Sequence, residues 1–301
     1  EHAGQSLIVM DAPPPQEDVR PWLDIGERLA RAGVHVPAVH ASDAEQGFVL
    51  IEDFGQRLYL PELTDATVDT LYGDAMDALL VMQSRVDAGD LPVYDAAFLR
   101  RELDLLAPWF LERHLGQPVD AATTKTLDIA FDLLVASAVE QPQCFVHRDF
   151  HSRNLMIVPR DNPGVIDFQG ALRGPITYDL VSLLRDCYIT WDEARVERWM
   201  QGYRQRLIDH RLIDAGIDAT RFRRWFDLTG LQRHIKVLGL FCRLAYRDGK
   251  PAYLDDLPRV FDYVLKITSR YPELAGLVEL LRAAGSGRDL RQPIGDAACA
   301  P

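Results

Sequence analysis

Nowhere in these 301 residues do cysteines gather. Cys144, Cys187, Cys242 and Cys299 are widely spaced, with no C-x-x-C pair. That argues against a cysteine-based zinc site and against a disulfide framework, and each cysteine reads as a small buried apolar residue in a reducing compartment. No run of about 18 apolar residues occurs, so no transmembrane helix and no membrane partner are expected. Basic charge is scarce: 33 Lys and Arg against 45 Asp and Glu leave a net charge of −12. Such a chain is a poor nucleic-acid binder, and to handle an anion it needs metal ions or a local basic pocket. Internal repeats and low-complexity tracts are missing as well. The chain opens on Glu1 rather than Met and runs at once into the strand-like SLIVM, so a native N-terminus is expected ahead of it.

What is present is an ordinary globular composition, 48% hydrophobic and 26% charged. Ser6 to Met10 reads as a strand, and the three prolines of DAPPPQED exclude helix interior after it. Trp22, Ile25 and Leu29 give Pro21–Ala32 a helical face, Val34–Ala41 is extended, and FVLIEDFG (48–55) is an apolar strand ending in two acids and a glycine turn. Helical periodicity then covers 64–87, 95–115 and 121–140. Short strands are expected at 144–146, 155–158 and 164–167, and helices at 177–188, 192–207, 219–246, 257–269 and 272–284. The expected fold is α+β. Residues 1–55 form a small N-terminal α/β lobe, apparently truncated, and 56–284 a large, mostly helical lobe; 285–301, rich in Gly, Pro and Ala, forms a loosely ordered tail.

Polarity is concentrated in CFVHRDFHSRNLMIV (144–158) and PGVIDFQG (163–170). The first reads as strand, polar loop, strand, and the second as a strand ending in Asp and a glycine turn. Asp149 and Asn154 are five apart, and Asn154 and Asp167 thirteen apart, enough for a hairpin return that brings all three to one edge. Hard oxygen ligands suit a magnesium ion that neutralises phosphate charge, while a second carboxylate orients an attacking hydroxyl. The spacing H-R-D-x4-N followed by an apolar strand ending in Asp-Phe is the catalytic-loop pattern of protein kinases. His147 is read as a buttress of the loop rather than an acid or base. His151 either points into the cleft or sits on the surface. A zinc set of His147, Asp149 and His151 is the weaker alternative, because it leaves Asn154 and Asp167 unexplained.

On these motifs the chain resembles the aminoglycoside phosphotransferase and choline kinase superfamily, from Ser6 to about Pro272. The segments LIVMDAPPPQED, IDFQGALRGPITYDLVSLLRDCY and LQRHIKVLGLFCRLAYRDGKPAYL narrow the likeness to bacterial anomeric kinases of N-acetylmuramate and N-acetylglucosamine in peptidoglycan recycling. The resemblance implies a protein-kinase-like two-lobe fold, ATP and Mg2+ as cofactors, and an amino-sugar acceptor, with no obligate protein partner. It makes Asp149 the catalytic base, Asn154 and Asp167 the magnesium ligands, and the backbone of Glu52, Asp53 and Phe54 the adenine-binding hinge. Asp179 braces the catalytic loop, through Arg148 or a loop amide. The ATP requirement and the unpaired cysteines imply a cytoplasmic enzyme.

The chain departs from the superfamily at the strand position that usually carries a phosphate-binding Lys or Arg, which falls near Met10. The helix that usually offers its partner acid has three candidates, Glu17, Asp18 and Asp24. Arg233 and Lys236, three apart on the 219–246 helix, are candidates to read the lactyl carboxylate of N-acetylmuramate, since Arg clamps carboxylates with two hydrogen bonds. The other reading of that pair is a solvated helix face. Two rival functions stay open: the same chemistry on an aminoglycoside, choline or homoserine, and a catalytically silent nucleotide-binding regulator.

Overall fold

The computed structural model describes residues 6–15 and 17–292. It forms two compact units, each assembled from separate stretches of chain: Glu1–Val93, Pro142–Asp186 and Trp191–Asp218 in the first, Tyr94–Gln141, Cys187–Thr190 and Ala219–Pro301 in the second.

The first unit begins with β1 (Leu7–Asp11), α1 (Arg20–Ala32), β2 (Val39–Asp43) and β3 (Phe48–Glu52). The strands form an antiparallel sheet in the order β1-β3-β2, with Leu7 opposite Glu52 and Asp11 opposite Phe48. Apolar residues at helical spacing bury one face of α1, namely Trp22, Ile25, Leu29 and Ala32. A one-turn helix α2 (Tyr59–Glu62) and the long α3 (Val68–Arg85) follow.

In the second unit, the helix expected over 95–115 is divided. Asp95 caps α4 (Ala96–Leu103) by accepting the Phe98 amide at 2.8 Å, and Leu106–His114 is wound as a π-helix. Pro108 supplies the reason, because it has no amide to donate and its ring crowds the carbonyl four residues back. The chain continues with α5 (Ala121–Val139) in this unit.

Back in the first unit, β4 (Gln143–Val146), β5 (Leu155–Met156), β6 (Gly164–Val165) and β7 (Leu172–Pro175) form two small antiparallel pairs, β4 with β7 and β5 with β6. β2 begins within the segment 34–41 read as extended, whereas β7 is an addition to that reading, its glycine and proline having obscured alternation. α6 (Tyr178–Leu184) and α7 (Glu193–Asp209) complete this unit.

The second unit is built on α8 (Ala219–Tyr246), joined by α9 (Leu257–Thr268) and α10 (Ala275–Gly285). α8 is buried around its whole circumference through Trp225–Gly239, as expected of a central helix. At Gly239 a Cβ would lie 2.4 Å from the Leu105 carbonyl oxygen, so glycine permits that close approach. Residues 285–292, expected to belong to the loose tail, are held instead. Leu290 is buried, and its carbonyl lies 2.8 Å from Nε2 of His114. Cys187 and Cys242 are buried and Cys144 half-buried, all three as free thiols, whereas Cys299 lies outside the described residues. Among the described residues no helix is long and apolar enough to cross a membrane.

Candidate active site

The polar stretch between β4 and β5 is a loop whose conformation is costly. Arg148 and Asp167 both have positive φ, +80° and +65°, which side-chain-bearing residues seldom adopt. Hydrogen bonds hold the loop there. The amides of His147 and Arg148 donate to Oδ2 and Oδ1 of Asp179 at 2.7 and 3.0 Å. Asp179, on α6, is fully buried, so these bonds compensate a carboxylate taken out of water. The brace therefore runs to two loop amides, one of them that of Arg148.

His147 is also fully buried, and its Nε2 lies 3.1 Å from the carbonyl of Ile166. Burial pushes its imidazole down to about 4, against a smaller upward pull from Asp149 and Asp167. The ring is therefore neutral near pH 7, with its proton on the nitrogen that faces the carbonyl. It ties the loop to the strand preceding Asp167 and has no proton to exchange in the working range.

Asn154 joins the rest. Its Nδ2 donates to the backbone carbonyl of Asp149 at 2.9 Å and to Oδ2 of Asp167 at 3.0 Å. Both amide hydrogens are thus committed, which leaves Oδ1 as the atom a cation would take. The Ile166 amide donates to the Asn154 carbonyl at 3.1 Å, so the two metal-ligand candidates are linked by backbone as well. Gln169, which the sequence reading did not single out, donates to Oδ1 of Asp167 at 2.9 Å. An exposed carboxylate beside a primary amide is a hard-oxygen donor pair and fits magnesium completed by water and phosphate oxygens. The zinc alternative is not assembled: among the described residues no three His, Cys, Asp or Glu side chains group as a metal site. His151 is half-buried, and its amide donates to the Asp149 carbonyl at 3.1 Å.

A cavity of about 410 Å³ adjoins this loop within the same unit. Ile166 and Phe168 line it on either side of Asp167 in sequence, Glu52 and Phe54 line it from the end of β3, and Ile8, Trp22 and Met156 supply apolar walls. The Phe168 ring packs 5.0 Å from that of Trp22. Phe54 packs against β6, where a Cβ on Gly164 would come within 2.6 Å of its ring. Asp53 is not part of the lining. Its carboxylate accepts the Gly55 amide at 2.7 Å, and bonds from Ser6 and then Gly55 hold it below the usual carboxylate range. Strand alternation puts Met10 on the same sheet face as Ile8, so an uncharged side chain stands at the strand position that usually carries a phosphate-binding cation, outside the residues that line the cavity. Of the candidate partner acids, Asp24 accepts from Arg28 at 3.0 Å, and Asp18 accepts the Arg20 amide at the start of α1. The apolar walls were not identified from sequence. Their signal was present in the flanks of Asp167 and in the apolar face of α1, but each also reads as ordinary core.

Arg233 and Lys236 lie in the second unit, and the solvated helix face is overturned, since both are buried. Lys236 Nζ meets Oε1 of Glu102 at 2.8 Å, and the Tyr94 hydroxyl also bonds that carboxylate. The charge of Lys236 is neutralised within the protein. Arg233 donates to Sγ of Cys187 at 3.3 Å.

Residues 1–222 match the phosphotransferase enzyme family, APH. The chain is 47% identical over 289 residues to the N-acetylmuramate/N-acetylglucosamine kinase of Pseudomonas aeruginosa, covering 95% of this chain and 84% of that protein. It is 45% identical over 285 residues to the kinase of the same name from Pseudomonas putida, covering 95% and 84%. Among solved structures, a choline kinase from Streptococcus pneumoniae superposes with a TM-score of 0.64 at 13% identity, covering 90% of this chain and 89% of that one, a likeness of fold.

Proposed function

This chain belongs to the phosphotransferase enzyme family, and on that premise we propose that it transfers the γ-phosphoryl group of ATP to the anomeric hydroxyl of N-acetylmuramate and N-acetylglucosamine, as in peptidoglycan recycling. It is an ATP-dependent small-molecule kinase of α+β, protein-kinase-like fold. The observation that carries the site assignment is Asn154, which ties the backbone of Asp149 to the carboxylate of Asp167.

In this reading residues 1–55 supply the hinge, and the base of ATP lies against Phe54 in the apolar cavity. The backbone of Glu52 to Phe54 offers the hydrogen bonds. Asn154 and Asp167 hold magnesium, which when bound neutralises charge on the phosphate oxygens. Asp149 accepts a hydrogen bond from the anomeric hydroxyl, aims it at the phosphorus and takes its proton as the new bond forms. Asp179 and His147 keep the loop in its strained form. The ATP requirement supports a cytoplasmic location.

The test is ADP release with Mg-ATP and N-acetylmuramate, N-acetylglucosamine, kanamycin or choline in turn. Release with either amino sugar is expected. Release with kanamycin or choline alone would assign a different acceptor, and ATP binding without release would favour a silent regulator with Met10 as its mark. Arg233 remains our candidate for the lactyl carboxylate. Arg233→Ala is expected to lower N-acetylmuramate turnover about tenfold more than N-acetylglucosamine turnover. An equal loss on both would mean packing.

A second prediction concerns the cavity. Gly164→Ala puts a methyl where the Phe54 ring lies, and the ring must move into the space the base would take. ADP affinity by calorimetry is expected to fall about tenfold. Unchanged affinity would remove Phe54 from the base site.

A further inference from the structure

The loop that carries Asp149 is anchored at its far end as well as at its start. Ser152 and Asp186 are both fully buried. Ser152 donates its amide and its hydroxyl to the same oxygen of Asp186, Oδ2, at 2.9 and 2.5 Å. A carboxylate taken fully out of water must be compensated by hydrogen bonds, and two of those made here come from one loop residue. Asp179, seven residues earlier, receives the amides of His147 and Arg148. The segment comprising α6 and the two residues after it therefore holds the loop at two points, with Asp149 between them.

The second anchor matters because the loop is strained. Arg148, with φ of +80°, sits in a region that a side-chain-bearing residue enters only at a cost in free energy. Such a backbone relaxes when one end is released. Asp179 fixes the start of the loop and the bonds of Asn154 to Asp149 and Asp167 its end, and Ser152 is the point between Asp149 and Asn154 at which the chain is tied to α6 and its extension. Both bonds from Ser152 converge on one buried carboxyl oxygen, so a single group fixes its backbone and its side chain together.

We infer that Asp186, acting through Ser152, is a positioning residue that sets the place of Asp149 and Asn154. The inference rests on the phosphotransfer reading for its effect on rate, but the anchor itself is a property of the loop. It predicts a loss in kcat with little change in KM for ATP, because the cavity walls are built from other elements.

The experiment compares the parent with Asp186→Asn, Ser152→Ala and Ser152→Thr in the full chain. It measures kcat, KM for ATP, ADP affinity and hydrogen exchange across residues 147–154. Asp186→Asn is expected to lower kcat about 100-fold and Ser152→Ala about tenfold, each leaving KM for ATP within about twofold. Ser152→Thr, which keeps both donors, is expected to stay within about twofold of the parent in kcat. Exchange across the loop should rise in Asp186→Asn and Ser152→Ala and not in Ser152→Thr. Equal losses in Ser152→Ala and Ser152→Thr, or parent-like kcat and loop exchange in a folded Asp186→Asn, would overturn the inference. If Asp186→Asn does not fold, the Ser152 pair decides. If the parent itself turns over none of the acceptors, the phosphotransfer reading fails, and loop exchange alone then tests the anchor.

Discussion

Asp149→Asn is expected to fold like the parent and to lose about 10²–10⁴ in turnover, the usual worth of a general base. The substitution keeps size and shape. The loop bonds made at this residue, from His151 and from Asn154, go to its backbone carbonyl, which the change leaves in place. Melting temperature and ADP affinity should therefore match the parent while kcat falls. Turnover within about threefold of the parent would move the base to another group. His147 is a poor substitute, since burial makes its imidazole a weak base and its Nε2 is bonded to the Ile166 carbonyl. Loss of ADP affinity together with rate would instead mean that Asp149 shapes the nucleotide site.

The second large effect is on stability. In Lys236→Met the Glu102 carboxylate, whose side chain is only 8% exposed, loses the Lys236 ammonium at 2.8 Å and keeps the Tyr94 hydroxyl. Gln232 stands 3.5 Å away, too far to take the place of the lost charge. Removing one partner of a buried ion pair costs about 3–5 kcal/mol, and urea unfolding should show that loss. Removing both charges, in Glu102→Gln with Lys236→Met, should recover most of it, because the penalty lies in the orphaned charge rather than in the missing attraction. Full stability in Lys236→Met, with a selective loss on N-acetylmuramate, would restore Lys236 as a reader of the sugar carboxylate.

The candidate site was legible where its residues are close in sequence. Asp149, Asn154 and Asp167 stand out because an apolar strand, a polar loop and a second apolar strand leave few places for charge, and because five- and thirteen-residue offsets suit a loop and a hairpin return. The same holds for α1, whose apolar face at helical spacing needs no partner to be recognised. The helix over 95–115 was harder, since helical spacing persists across Pro108 and only the backbone records the wider winding.

Residue type and short spacing were enough to mark a polar loop of kinase-like spacing, an apolar strand ending in Asp167 and another apolar strand ending in two acids and a glycine turn. Each of those depends on residue type and short spacing, which the local backbone obeys directly. Only the tertiary structure decided what surrounds them. Trp22 and Phe168 meet though 146 positions separate them in the chain, Ser152 finds Asp186 thirty-four residues on, and Lys236 is neutralised by a glutamate from α4. A charged residue at helical spacing looks the same in sequence whether water or a buried carboxylate receives it. Packing removes the water and so selects the partner.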